Sequence, residues 1–232
     1  RLAAHDKAVT SLSISGDGQR ILTGSDDKTA KLWSHQGQLL RVLDHGEATI
    51  TNVQISPDGE TLAIADADGQ VKLWREDETP EQVIAAPDNW VLGLSFHPDG
   101  DRFATASRDG TVKLWNRANG TLAQTLTDQE SGVTSLAFSP DGRQLATSDA
   151  DGNVWLRRGT TYQEIQRLPS VSDSRILDLR FSRDGRFMVT TTAEGTVYVW
   201  TADGQLLQTL RGHRDAVWGA SFSPDGTRLA TA

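Results

Sequence analysis

Short runs in which apolar and polar residues alternate fill this chain, and each run stops at a turn signal. In Val91-Leu92-Gly93-Leu94-Ser95-Phe96 the alternation sets Leu92, Leu94 and Phe96 on one face and Val91, Gly93 and Ser95 on the other, the period of a β-strand. His97-Pro98-Asp99-Gly100 then turns the chain. Pro presets φ, Asp bonds nearby backbone, and Gly takes the positive φ of a hairpin return. A second strand over 101–106, a turn at Arg108-Asp109-Gly110, a third strand over 111–115, a turn at Ala118-Asn119-Gly120 and a fourth strand over 121–126 complete an antiparallel meander.

The meander repeats. Turns of the same kind stand at Ser15-Gly16-Asp17-Gly18, Ser56-Pro57-Asp58-Gly59, Ser139-Pro140-Asp141-Gly142, Ser182-Arg183-Asp184-Gly185 and Ser223-Pro224-Asp225-Gly226. With Asp99 included, the turn Asp positions step by 41, 41, 42, 43 and 41 residues, and Trp33, Trp74, Trp115 and Trp200 each lie 16 residues past one. Such a period marks a repeat architecture whose units bury their apolar faces only by stacking. Four short antiparallel strands per unit predict a β-propeller blade. The chain therefore reads as one all-β propeller domain with units at 5–43, 45–84, 87–127, 129–168 and 172–210 and a half unit at 212–232. First strands carry small residues (Ser11 and Ser13, Gly93 and Ser95, Ser135 and Ala137, Gly219 and Ser221), which suits wedges converging on an axis. The second unit departs mildly with Asn52 and Gln54, the fifth more strongly with Asp178 and Arg180. That last pair reads either as a partly solvated ion pair on the channel wall or as a ligand contact.

These residues resemble the WD40 repeat family over the whole chain. The resemblance implies a buried network in each blade: a loop His, a second-strand Ser or Thr, an Asp in the following turn and the third-strand Trp. The first unit matches all four with His5, Thr23, Asp27 and Trp33. The second keeps Asp68 and Trp74, with Ile64 in the Thr position and His45 one residue out of register. The third keeps Thr105, Asp109 and Trp115, with Pro87 in place of His. The fourth keeps Thr147 and Asp151, while Arg157 takes the Trp position and Trp155 sits two residues earlier. The fifth keeps Thr190, Glu194 and Trp200, with Ser172 replacing His, and the sixth shows His213 and Thr231. The Trp-Asp pair is missing throughout, since Ser34, Arg75, Asn116 and Thr201 follow the Trp residues. Family propellers usually close seven blades with strands from both termini. Here Arg1-Leu2 reads as the end of a fourth strand and Leu229–Ala232 as a second strand. The expectation is a segment of a longer protein, an open arc of about five and a half blades whose bare ends favour self-association.

Composition narrows the function classes. A net charge of -8 and a pI near 5.1 argue against a nucleic-acid surface, which needs clustered Lys and Arg. No apolar run is long enough to span a bilayer. Cys is absent, so disulfides and thiolate metal sites are excluded, and a reducing compartment, the cytoplasm, fits. His5, His35, His45, His97 and His213 show no short metal-ligand spacing. The Asp-Gly pairs lack the dense alternating oxygens of a calcium loop, and no Gly-rich turn opens a helix to cradle phosphate. No cofactor is expected.

An enzyme built from His5, Asp27 and neighbouring hydroxyls would need an exposed nucleophile, an oriented base and an oxyanion hole. The same constellation recurs, degraded, in unit after unit, which marks it as structural. In the resembled family, partners dock on the face where first strands begin and second turns lie. The matching positions are Lys7, Asp26, Glu47, Asp88, Asn89, Trp90, Arg108, Arg175 and Asp215. Trp90 reads as an interface anchor or as packing against the neighbouring blade. Each charged position reads as a partner contact or as solvated surface. Mixed signs point to peptide or protein partners. The expectation is a non-enzymatic protein–protein interaction scaffold or sensing module, similar to WD40 arrays attached to multidomain bacterial signalling proteins. The alternative is a propeller-type enzyme, or the propeller half of one, for which only Asp178 and Arg180 speak.

Overall fold

The computed structural model describes residues 5–75, 80–85, 90–170 and 173–232. Every regular element among them is a strand. The first blade comprises β1 (Val9–Ile14), β2 (Arg20–Ser25), β3 (Thr29–Ser34) and β4 (Leu39–Asp44), and the second β5 (Ile50–Ile55), β6 (Leu62–Asp66), β7 (Gln70–Trp74) and β8 (Pro80–Ala85). The third comprises β9 (Val91–Phe96), β10 (Arg102–Ser107), β11 (Val112–Asn116) and β12 (Leu122–Leu126). The fourth holds β13 (Val133–Phe138), β14 (Gln144–Asp149), β15 (Val154–Arg158) and β16 (Glu164–Arg167). The fifth holds β17 (Ile176–Phe181), β18 (Phe187–Thr192), β19 (Thr196–Thr201) and β20 (Leu206–Arg211), and β21 (Ala220–Phe222) with β22 (Leu229–Thr231) forms a hairpin. Each blade is its own sheet with its strands in chain order. The chain divides into two compact units, one running through Thr125 with the first three blades, the other from Leu126 with the remainder.

Five of the six turns between first and second strands share one bonding scheme, while in the third blade His97 replaces the Ser and its Nδ1 accepts the Asp99 amide. The Ser hydroxyl donates to the turn Asp in Ser15–Asp17 (2.5 Å), Ser56–Asp58 (2.5 Å), Ser139–Asp141 (2.6 Å), Ser182–Asp184 (2.7 Å) and Ser223–Asp225 (2.6 Å). The same carboxylate oxygen accepts the amide two residues on, and the hydroxyl accepts the amide that starts the second strand, as Asp184 does from Arg186 and Ser182 from Phe187. The turn closes on Gly at positive φ, 70° at Gly185, where a side chain would be strained. These bonds hold the carboxyls low. At Asp184 and Asp225 the Ser hydroxyl, then a backbone amide, pull the value down to about 2.

The simple alternation read in the first strands breaks at one point. A bulge follows the first residue of β1, β5, β9, β13 and β17. The extra residue swings that first side chain onto the opposite face. Val91 therefore lies beside Leu94 and Phe96 in the core, rather than opposite them, while Leu92 is only half-buried.

Stacking completes the core, and each blade has two different faces. The front of the first blade (Leu22, Ala30, Leu32, Leu43) meets the rear of the second (Ile50, Val53, Ile55, Leu62, Ile64, Trp74). Ala63, Ala65, Val71, Leu73 and Ile84 on the second meet Val91, Leu94, Phe96, Phe103 and Trp115 on the third. In the second unit, Ala146, Val154, Leu156 and Leu168 meet Ile176, Leu179, Met188, Tyr198 and Trp200, and Val189 and Val197 meet Val217 and Ala220. Each fully buried Leu or Ile contributes about 1.5–3 kcal/mol. Gly24 shows how close the faces come: a Cβ there would lie 2.5 Å from Ile50 Cγ2 and 2.8 Å from Val53 Cγ1.

Polar ties fix both margins of the stack. Near the first strands, the Val53 and Ile55 amides donate to Ser11 Oγ (3.2 Å) and Ser13 Oγ (3.0 Å), and the Leu179 amide to Ser135 Oγ (3.2 Å). The small first-strand residues thus serve as acceptors for the next blade. Asp178 replaces them in the fifth blade, accepting from the Ala220 amide (3.1 Å) while paired with Arg180 Nε at 2.9 Å. Along the outer strands, Arg41, Gln82 and Gln166 donate to the next blade's carbonyls at Arg75 (2.8 Å), Ala118 (2.9 Å) and Asp203 (3.0 Å).

Candidate interaction face and the networks beneath it

In the first blade the structure brings together His5, Thr23, Asp27 and Trp33. His5 Nδ1 lies 2.8 Å from Asp27 Oδ2, His5 Nε2 2.8 Å from Thr23 Oγ1, and Trp33 Nε1 donates to Thr23 Oγ1 at 3.0 Å. With the proton on Nδ1, every hydrogen in this chain is used once. Burial opposes the Asp27 charge, yet hydrogen bonds from the Thr29 hydroxyl and amide, the Asp6 amide and His5 outweigh it and hold the carboxyl far below the ordinary range. All four groups are occupied with one another, so the cluster presents no free base or nucleophile.

Elsewhere the network is rebuilt. Trp115 Nε1 donates to Thr105 Oγ1 (3.0 Å) and Trp200 Nε1 to Thr190 Oγ1 (3.1 Å). Asp109 caps the Thr111 amide and hydroxyl. In the second blade the carboxylate that meets the histidine is Asp66, not Asp68: His45 Nε2 lies 3.0 Å from Asp66 Oδ2. The Asp66 carboxylate ends β6 and points inward, and its other oxygen binds the Asp68 and Gln70 amides, leaving Asp68 exposed. With Ile64 in the Thr position, buried Trp74 Nε1 has no partner among the described residues. The fourth blade repeats the exchange: Asp149 binds the Asp151 and Asn153 amides, and Asp151 is exposed. There Gln129 stands in for His, donating to Thr147 Oγ1 at 2.5 Å, and buried Arg157 forms two bonds to half-exposed Asp128, 2.8 and 3.0 Å. Thr192 takes the capping position in the fifth blade by accepting from the Thr196 amide, and Glu194 is exposed. His213 Nε2 lies 2.7 Å from Thr231 Oγ1.

Above these networks, each blade has an end where its first strand begins and its second turn closes. Backbone bonds set its geometry, with the Asp26 amide on Ala8 O, the Arg108 amide on Trp90 O and the Ala193 amide on Arg175 O, each 3.0 Å. Lys7, Glu47, Trp90, Arg108, Arg175 and Asp215 are exposed and Asp26 half-buried, whereas Asn89 lies outside the described residues, as do Arg1, Leu2, Pro87, Asp88 and Ser172. Trp90 is 46% exposed, and the Arg108 guanidinium carbon sits 5.8 Å from its ring centroid. The spacing did not single out Lys28. It holds a φ of 74° where the matching turns have Gly69, Gly110, Gly152 and Gly195, and its Nζ reaches Glu47 Oε2 at 2.7 Å.

A family model described as IFT122 first beta-propeller matches residues 1–232. The chain belongs to this family. Among curated proteins none matches it. Among the described residues of this WD40-type propeller, no group of three or more His, Cys, Asp or Glu is placed to hold a metal ion, and no helix is long and apolar enough to cross a membrane.

Proposed function

We propose that this propeller is a non-enzymatic interaction module that presents its second-turn face to other proteins or peptides, as part of a cytoplasmic signalling or scaffolding assembly. The carrying observation is Trp90, a half-exposed indole on a loop with a guanidinium against its ring. Trp and Arg are residue types enriched where interfaces concentrate their binding energy, and cation–π packing preorganises the indole. Lys28 supports the same face. Its left-handed backbone carries a strain of about 1–3 kcal/mol that tends to persist where function requires it. The His5, Thr23 and Asp27 constellation supports scaffold over catalyst, because its polar groups are spent on each other.

The test uses the intact protein and a partner recovered with it, purified and titrated against wild type and a Trp90→Ala, Arg108→Ala variant. The expected result is at least about tenfold weaker binding, or 1.4 kcal/mol, with thermal stability almost unchanged. Unaltered affinity would refute the reading, and a large fall in melting temperature would assign Trp90 to packing instead.

A further inference from the structure

Among the described residues, four guanidinium groups lie against aromatic rings, and three of them are engaged elsewhere as well. Arg41 sits 5.6 Å from the Trp74 ring centroid and donates to Arg75 O at 2.8 Å. Arg167 sits 5.1 Å from that of Trp155 and donates to Asn153 Oδ1 at 2.6 Å. Arg186 sits 5.4 Å from that of Phe187 and pairs with Asp184 Oδ2 at 2.6 Å. In each case the fork of N–H groups already has an acceptor.

Arg108 differs. Its guanidinium carbon lies 5.8 Å from the Trp90 ring centroid, yet among the described residues no hydrogen bond or ion pair uses its side-chain N–H groups. Both residues are exposed, and the bond from the Arg108 amide to Trp90 O (3.0 Å) fixes the two backbones against each other. The neighbouring acid is occupied: Asp109 Oδ1 accepts from the Thr111 amide (2.8 Å) and hydroxyl (2.7 Å). A guanidinium held against an indole has less side-chain freedom to lose on binding. Its planar fork matches an oxyanion through two parallel N–H···O bonds.

We infer that Arg108 is the receptor for a carboxylate on the peptide or protein partner, while Trp90 orients the guanidinium and packs on an apolar neighbour of that acid. The inference rests on the interaction face proposed above and names what that face selects. Charge narrows the partner further. Asp109 and, on the matching turn of the second blade, Asp68 are exposed, and the chain carries a net charge of -8, so an acidic run would meet repulsion. A phosphate, with a charge of about -1.5 to -2, would meet more of it than a carboxylate. A single Glu or Asp among neutral or basic residues fits. Lysine at this place would keep the charge but lose the fork.

The test is an NMR titration of the isotope-labelled chain, read at the Arg108 Nε–H and Trp90 indole N–H signals. The probes are acetyl-Ala-Leu-X-Leu-Ala-amide peptides with Glu, Gln or phosphoserine at X. The Glu peptide should move both signals and bind at least about tenfold more tightly than the Gln peptide. Arg108→Gln should erase that preference and Arg108→Lys should reduce it, each with an unchanged melting curve. Arg183→Gln, at an exposed first turn of the fifth blade, should keep it. Equal binding of Glu and Gln peptides, a preference that survives Arg108→Gln or is undiminished in Arg108→Lys, or an equal loss with Arg183→Gln would each overturn the inference. A phosphoserine peptide bound about tenfold more tightly than the Glu peptide would overturn it in favour of a phosphate site. Should Glu and Gln peptides behave alike while the Trp90→Ala, Arg108→Ala variant still loses its recovered partner, the carboxylate receptor fails and the interaction face stands.

Discussion

Trp33 and Trp74 hold matching places in neighbouring blades and differ by one hydrogen bond. The first donates to Thr23, while the second has no partner among the described residues. Trp33→Phe should therefore cost about 1 kcal/mol more than Trp74→Phe, the net worth of a typical hydrogen bond, in urea unfolding. Lys28→Gly should stabilise the chain by up to about 1 kcal/mol, because it relieves a left-handed backbone and gives up only a surface ion pair of little worth. The turn carboxyls set the acid limit. Asp184 and Asp225 titrate at about 2 in the folded state, against about 3.9 in an unfolded chain. A lowered folded value means stability that is complete above pH 4 and lost as pH falls toward 2. Asp184→Asn should lower stability at neutral pH and flatten the acid limb of a stability–pH curve, the two curves converging as pH falls toward 2. The role of Ser-x-Asp-Gly was legible in the sequence because its bonds are local. The carboxylate facing the histidine was not. Asp66 and Asp68 are both turn-competent, and only the inward direction at the end of β6 separates them.

Strands were legible because a period of two survives without tertiary information, and the turns between them announce themselves chemically. The bulge after the first residue of β1, β5, β9, β13 and β17 was hidden, since an unpaired residue leaves the composition of a run unchanged. The fourth blade shows what such elements tolerate. Arg157 replaces a Trp and is neutralised by Asp128. Asp128→Asn should cost about 1–3 kcal/mol, below the 3–5 kcal/mol for breaking a fully buried pair, because Asp128 is half-exposed. Denaturant midpoints would measure it. Gly24→Ala tests contact between elements. Its methyl would press on Ile50 and Val53, so an overpacking cost of about 1–3 kcal/mol is expected. The positions of Trp90 and Arg108 on one face followed from the repeat register, but Arg108 lying against the ring depended on rotamers that a spacing does not encode.

At the scale of the molecule, stability is shared between neighbours rather than pooled in one core, as in repeat proteins. Protection from hydrogen exchange should follow that sharing. The amides of β6 and β10, inside buried sheets, should exchange far more slowly than those of β1 and the β21–β22 hairpin, whose side chains are more exposed. Uniform protection across these strands would contradict the nearest-neighbour picture. The ties at the two margins carry a further mechanical meaning. Ser11 and Ser13 stitch consecutive sheets along one margin like the spine of a book, and Gln82 and Gln166 clasp the fore-edge. Releasing a clasp lets two pages splay while the binding holds, so the outer strands tune how far adjacent loops stand apart without dismantling the stack.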